Sequence, residues 1–274
     1  MNYRHAFHAG NFADVVKHIA LVAILRHLRN KDAPFAVIDS HAGRGRYDLG
    51  GAEAGRTGEA ADGIARLADI AADGALGDYL RLARGGAFYP GSPLIAAALL
   101  RPQDRLVAVE KQPAEFAALK AALAGIRNAR AEEADGYARL AALLPPPERR
   151  GLVLIDPPFE APDEFARQAR AFAAAFRRFA TGIYLLWFPI KSAGEADALG
   201  GEVLAAGARK VLRIDIARGG VAADRLAAAG LIVVNPPFGF AAEMRDALAR
   251  VAPALSAAVQ VRVLAGDGSV ANAV

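Results

Sequence analysis

Residues 151–159 read GLVLIDPPF. Gly151 and four apolar residues run straight into Asp156, two prolines and Phe159. A continuous apolar run, rather than an alternating one, marks a strand buried on both faces of a mostly parallel sheet. Comparable strand-like runs lie outward in both directions: PFAVID at 34–39, RLVAVE at 105–110, ARAEEAD at 129–135, GIYLLWF at 182–188, KVLRIDI at 210–216 and GLIVVN at 230–235. Alanine-rich stretches at 113–125, 136–144, 163–179 and 240–252 separate them and read as helices. Strand–helix alternation of this kind predicts an α/β, doubly wound sheet of about seven strands, with AAVQVRVLA near the end as a weak eighth.

Two regions fall outside that rhythm. Residues 11–29 read as a helix capped by Asn11, with Asp14 in its first turn and Leu21, Ile24, Leu25 and Leu28 on an apolar stripe. Residues 46–92 are far longer than a usual connection, so they read as an inserted helical subdomain with helices at 58–72 and 76–84. The main domain is then formed by residues 1–45 and 93–265, followed by a flexible tail at 266–274.

Composition narrows the chemistry. The 274 residues contain no cysteine, which removes disulfides, thiolate zinc sites, iron–sulfur clusters and a cysteine nucleophile. No His, Asp and Glu cluster has ligand spacing, so no metal is expected. No run approaches the ~18 apolar residues of a membrane span, and the start, MNYRHAFHAGNFADVVKH, lacks a signal-peptide pattern. A cytoplasmic, membrane-free protein is expected. The net charge of +4 permits a polyanionic partner without demanding one.

Strand ends carry the candidate site. VIDSHAGRGRY places Asp39 at the end of the first strand, with His41, Gly43 and Gly45 in the turn beyond; the third glycine of a dinucleotide fingerprint is replaced by Asp48, which argues against NAD. The second strand ends in Glu110, placed to accept both hydroxyls of a ribose, and the third in Asp135-Gly136. Acids on three consecutive strand ends of an open α/β sheet point to a nucleoside-bearing cofactor.

The DPPF segment has a chemical reading of its own. The exocyclic nitrogen of adenine shares its lone pair with the ring and is a poor nucleophile. A catalyst must draw it toward tetrahedral geometry by accepting its protons. Asp156 offers a carboxylate and Pro157 a carbonyl, the prolines fix the backbone, and Phe159 offers a face for a base taken out of its stack.

Together these residues resemble the amino-methyltransferases that use S-adenosyl-L-methionine, whose catalytic motif is [DNS]PP[YFW]. More narrowly, YRHAFHAGNFADVVKH, DSHAGRGRYDL, FYPGSPLIA, EADG, RRGLVLIDPPFE and RFATGIYLLWFPI resemble the ribosomal RNA large subunit methyltransferase J family, over residues 2 to about 240. The resemblance implies a Rossmann-like class I methyltransferase fold and methylation of an adenine N6 in 23S ribosomal RNA by base flipping and direct transfer. It assigns Asp156 as the proton-accepting catalytic acid, with His18, His41, Ser92, Glu110, Asp135 and Gly136 contacting the cofactor and Tyr3 handling RNA. Gly43 and Asp156 join the expected cofactor contacts, and Arg4 and His5 extend the basic, aromatic N-terminal patch around Tyr3. On residues alone, His18 reads as a core histidine and Ser92 as an N-cap before Pro93. A monomer acting on free RNA or an assembly intermediate is expected.

Rival readings stay open at this point: a DNA adenine-N6 methyltransferase or a DNA-utilisation protein of the same fold, a catalytically dead nucleic-acid binder, and a nicotinamide dehydrogenase. Asn235-Pro236-Pro237-Phe238 also satisfies the motif on paper. Chain order argues against it, because its strand counts as the seventh, beside the fifth, so a structural or substrate-side role is expected.

Overall fold

In the computed structural model, residues 9–50, 59–85, 88–221 and 225–266 are described. Tyr3, Arg4, His5 and residues 267–274 of the expected tail lie outside them. The main sheet contains β1 (Ala36–Asp39), β2 (Arg105–Glu110), β3 (Ala129–Glu133), β4 (Gly151–Ile155), β5 (Ile183–Pro189), β6 (Val211–Arg218), β7 (Ala228–Val234) and β8 (Ala257–Ala265). Their spatial order is β8-β6-β7-β5-β4-β1-β2-β3. From β3 to β5 neighbours are parallel, whereas β7 runs antiparallel to both β5 and β6. This is the expected Rossmann-like methyltransferase sheet, with eight strands instead of seven. The AAVQVRVLA segment is a full edge strand, antiparallel to β6 along its length. Its pattern is half-buried, as suits a strand with one covered face, and it screens what would otherwise be the open edge of β6.

Helices α1 (Phe12–Arg29), α2 (Gly74–Arg84), α3 (Ser92–Leu99), α4 (Pro113–Ala122) and α8 (Phe240–Val251) contribute to the apolar layer on one face of the sheet. On the other lie α5 (Gly136–Leu143), α6 (Glu164–Arg178) and α7 (Ala193–Ala205). Asn11 caps α1, its Oδ1 accepting from the Ala13 and Asp14 N–H groups at 2.9 Å each. The rest of α1 is buried almost throughout, because it packs on the sheet while α2, α3 and α8 cover it. That burial explains why the helix is apolar beyond one stripe.

The long connection after β1 differs from expectation in its first half. Residues 59–63 form turns, followed by a 3-10 turn at Ile64–Leu67; the α-helix expected at 58–72 is absent. The cause is a close backbone approach: the Ile64 N–H donates to the Gly10 carbonyl, and a Cβ on Gly63 would lie 2.0 Å from that same oxygen. The second half is helical as α2. Leu67, Leu76, Tyr79, Leu80 and Tyr89 of this connection share the apolar cluster of α1, and a short ribbon pairs Arg46–Tyr47 with Tyr89–Pro90.

The parallel strands bring the residues after β1, β2, β3 and β4 to one edge. β1, flanked by β2 and β4, marks the point where strand order reverses, the place at which open α/β sheets bind ligands. Because β7 is antiparallel, its end at Asn235 lies at the opposite edge, by the start of β5.

Candidate active site

Beyond the ends of β1, β2, β3 and β4 an open cavity of about 290 Å³ is lined by His18, His41, Gly43, Ser92, Glu110, Asp135, Gly136, Asp156 and Pro157. All the expected cofactor contacts therefore meet in one place. Lys17, Tyr47, Tyr137 and Arg167 line it too and were missed by sequence reasoning.

Lys17 is the most consequential of these. It comes from the first turns of α1 and is buried with its side chain 4% exposed, donating to Asp14 Oδ1 at 2.7 Å and to Asp156 Oδ2 at 2.6 Å. Burial works to lower the Lys17 pKa, but the two carboxylates outweigh it and hold the ammonium charged, well above the usual lysine range. Removing one partner of such a buried group costs about 3–5 kcal/mol. A lysine three residues after Asp14, among the apolar residues of the first half of α1, was the sequence signal for it. The strand end itself is tied down by Gln168 of α6, whose amide donates to the carbonyls of Ile155 at 3.3 Å and Trp187 at 2.9 Å.

Beneath the cavity Asp39 is buried and accepts from the Ser92 hydroxyl at 2.6 Å. Burial pushes its carboxyl up to about 7; the Ser92 hydrogen bond opposes the rise and the nearby Asp156 charge adds to it. Ser92 is thus the first residue inside α3, and Gly91 holds the capping position. The expected Ser92 cap is not formed because its hydroxyl serves the buried acid instead.

Glu110 accepts from the Gly43 N–H at 2.9 Å and the Gln112 N–H at 2.7 Å. Burial raises its pKa, partly offset by those N–H groups. Gly43 and Gly45 both have positive φ, at 62° and 76°, as the turn reading required. Asp135 caps α5 through the Ala138 N–H at 3.2 Å and pairs with Lys111 at 3.1 Å. Burial works to raise its pKa, yet the Ala138 N–H and Lys111 hold it below the usual range. A Cβ at Gly136 would lie 1.8 Å from the Ser40 carbonyl, so no other residue fits where α5 meets the β1 turn.

His41 forms one wall. Its Nδ1 lies 2.8 Å from the Ser40 hydroxyl, its ring packs edge-on against Tyr137 at 4.7 Å, and Arg167 covers Tyr137 at 5.3 Å. Burial pushes the His41 pKa down to about 4, so the ring is neutral. His18 combines both of its sequence readings: its Nδ1 is 2.7 Å from the Tyr89 hydroxyl in the core, and the residue also lines the cavity.

Phe159 departs from the exposed platform that was expected. It is half-buried at φ 50°, packs edge-on against Phe165 at 4.8 Å and Trp187 at 5.7 Å, and is not among the lining residues, although Pro158 and Glu160 on either side are. Two good aromatic partners hold the ring off the cavity wall. The rival motif is elsewhere: Asn235 donates through its side-chain amide to the carbonyls of Ala180 and Gly182, at 2.9 and 2.8 Å, at the far edge of the sheet.

Among the described residues no group of three or more His, Cys, Asp or Glu is arranged to hold a metal, and no helix is long and apolar enough to cross a membrane. The donor set suits a nucleoside instead: a strand-end carboxylate oriented by backbone N–H groups at Glu110, a capping acid at Asp135, a neutral imidazole and a backbone opening at Gly136.

Comparison with known proteins agrees with that reading. Residues 32–264 match the family model described as "Ribosomal RNA large subunit methyltransferase D, RlmJ". The chain is 42% identical over 261 residues to ribosomal RNA large subunit methyltransferase J of Escherichia coli (strain K12), covering 90% of this chain and 91% of that one. The Haemophilus influenzae protein of the same name is 39% identical over 259 residues, covering 90% and 92%. Among solved structures, protein LPL1258 of Legionella pneumophila superposes with a TM-score of 0.86 at 30% identity, covering 93% of this chain and 98% of that one. Matched along nearly its whole length, the chain belongs to the ribosomal RNA large subunit methyltransferase J family.

Proposed function

We propose that this chain methylates the exocyclic N6 amine of an adenine in 23S ribosomal RNA, with Asp156 holding the amine at the cavity. The observation that carries the reading is the Lys17–Asp156 pair at the end of β4, in a cavity also lined by the residues expected to contact the cofactor. When bound, S-adenosyl-L-methionine supplies an electrophilic methyl group on its sulfonium sulfur. Glu110 would take the ribose hydroxyls, and Asp135, Gly136 and His41 would flank the adenine moiety.

The protein's own part is positioning. Lys17 fixes Asp156 Oδ2, which leaves Oδ1 to accept one N–H of the target amine. The Pro157 carbonyl accepts the other, on a backbone that proline keeps rigid. With both protons drawn into hydrogen bonds, the nitrogen lone pair turns toward the methyl carbon. The amine nitrogen would take the methyl group with the sulfide as leaving group, and Asp156 would pass the amine's surplus proton to solvent. Phe159, held by Phe165 and Trp187 next to Pro158, supports the flipped base from outside the cofactor cavity. Tyr3, Arg4 and His5, outside the described residues, contact the RNA. The same reading has the protein working as a monomer in the cytoplasm, on free RNA or an assembly intermediate whose adenine is still accessible to flipping.

Transfer of labelled methyl from S-adenosyl-L-methionine to protein-free 23S ribosomal RNA and to DNA, in parallel, tests this directly. Nucleoside analysis is expected to find the label as N6-methyladenosine from the RNA alone. Label in DNA, or in another nucleoside, contradicts it.

A further inference from the structure

The second PPF turn has no place at the cavity, yet it is built with care. Asn235 adopts φ 54°, its N–H donates to the Lys210 carbonyl at 2.8 Å, and its side-chain amide binds the carbonyls of Ala180 and Gly182. One residue therefore ties together three segments: residues 177–182 at and just beyond the end of α6, residues 206–210 before β6, and residues 235–239 after β7. These segments carry Arg177, Arg178, Arg209 and Lys210, all exposed, and no carboxylate. Three residues after Asn235, on the same turn, Phe238 is 80% exposed, the more exposed of the two large apolar side chains that stand open among the described residues.

We infer that this turn and its flanking loops form a second RNA-docking surface, at the sheet edge opposite the active site, which takes a single-stranded stretch of the RNA being methylated. The inference rests on the function proposed above. Cations that track phosphates around an aromatic ring on which a base can stack are the working parts of single-strand binding. Helix ends alone do not account for the cluster. Arg177 and Arg178 sit in the last turn of α6, where cations favour the helix dipole, but Arg209 and Lys210 lie beyond the end of α7. Nor does a helix dipole explain an exposed phenylalanine held out on a proline turn. The absence of acids favours a polyanion over a protein partner, and the ring favours an unpaired segment over a duplex. The two surfaces are separated by the length of the strands, on the order of 20 Å. A large folded RNA can touch both; a short stem-loop seated at the cavity cannot.

The test uses two variants of the full chain, Phe238→Ala and Arg177→Glu/Arg209→Glu, with protein-free 23S ribosomal RNA and a short stem-loop cut around the nucleotide the protein methylates. Thermal shift with S-adenosylhomocysteine confirms that each variant keeps its fold and cavity. Each variant is expected to bind the full RNA about tenfold more weakly, the scale of one missing base stack or a few missing phosphate interactions. Its kcat stays unchanged, as does its methylation of the stem-loop. The charge variant should also flatten the dependence of log K on log salt by about 0.7 for every single-strand phosphate it no longer neutralises. Unchanged affinity for the full RNA, or an equally weakened stem-loop, overturns the inference. Failure of the unaltered protein to methylate either RNA would instead remove the function on which it rests.

Discussion

Lys17 sits between Asp14 and Asp156 with almost no access to water, and its charge fixes one oxygen of the carboxylate proposed to hold the target amine. Replacing it with methionine keeps the bulk and removes the hydrogen bond. Lys17→Met is expected to lower kcat on the order of a hundredfold, the scale of a misplacement of about 1 Å, and to destabilise the fold by about 3–5 kcal/mol by stranding the buried Asp14 and the half-buried Asp156. Single-turnover methyl transfer and chemical denaturation measure the two effects separately. Asp39 and His41 make a pH prediction of opposite signs. Between its ordinary value of 3.8 and about 7, Asp39 keeps in the folded state a proton that the unfolded chain has lost, so its contribution to stability falls as pH rises. Between 6.5 and about 4, His41 stays neutral in the fold while the unfolded chain takes up a proton, so its contribution falls as pH drops. The two oppose each other across that window. Asp39→Asn should leave stability rising with pH from about 4 to 6.5, and His41→Gln should leave it falling from about 4 to 7, both read from denaturation midpoints.

At the scale of elements, the two PPF turns separate because their strands run in opposite senses. β4 is parallel to β1 and delivers Asp156 to the edge that holds the cavity; β7 is antiparallel to β5 and delivers Asn235 to the other. Asn235→Ala removes donors to the Ala180 and Gly182 carbonyls, so it is expected to cost about 1–3 kcal/mol in denaturation while methyl transfer per folded molecule stays largely intact. Chain order in the sequence placed the second turn farther out, beside the fifth strand; the reversed sense of β7, which sends it to the opposite edge, was not legible there. The buried strands were legible, since a short, unbroken apolar run between turn residues suits a strand covered on both faces. What the sequence did not disclose depended on the meeting of distant segments. Gly63 gives no local sign that its backbone will press against Gly10 and stop a helix. Ser92 looks like a cap because its local pattern is that of a cap; only the approach of Asp39 diverts its hydroxyl. Phe159 reads as exposed until Phe165 and Trp187 come in from other elements.

For the whole molecule, the parallel strands of the sheet gather Asp39, Glu110, Asp135 and Asp156 at one edge, and α1 sets Lys17 against Asp156, the carboxylate proposed to hold the amine. The net charge of +4 is unevenly spread, with four cations and no acid on the three segments that Asn235 ties together. A single comparison bears most directly on the central claim: methyl transfer to 23S ribosomal RNA at saturating S-adenosyl-L-methionine by the unaltered protein and by Asp156→Ala. Loss of one preorganised hydrogen-bonding group in a transition state commonly costs about a hundredfold or more, and at least that loss is predicted here. An Asp156→Ala protein that still methylates adenine at close to the unaltered rate would contradict it.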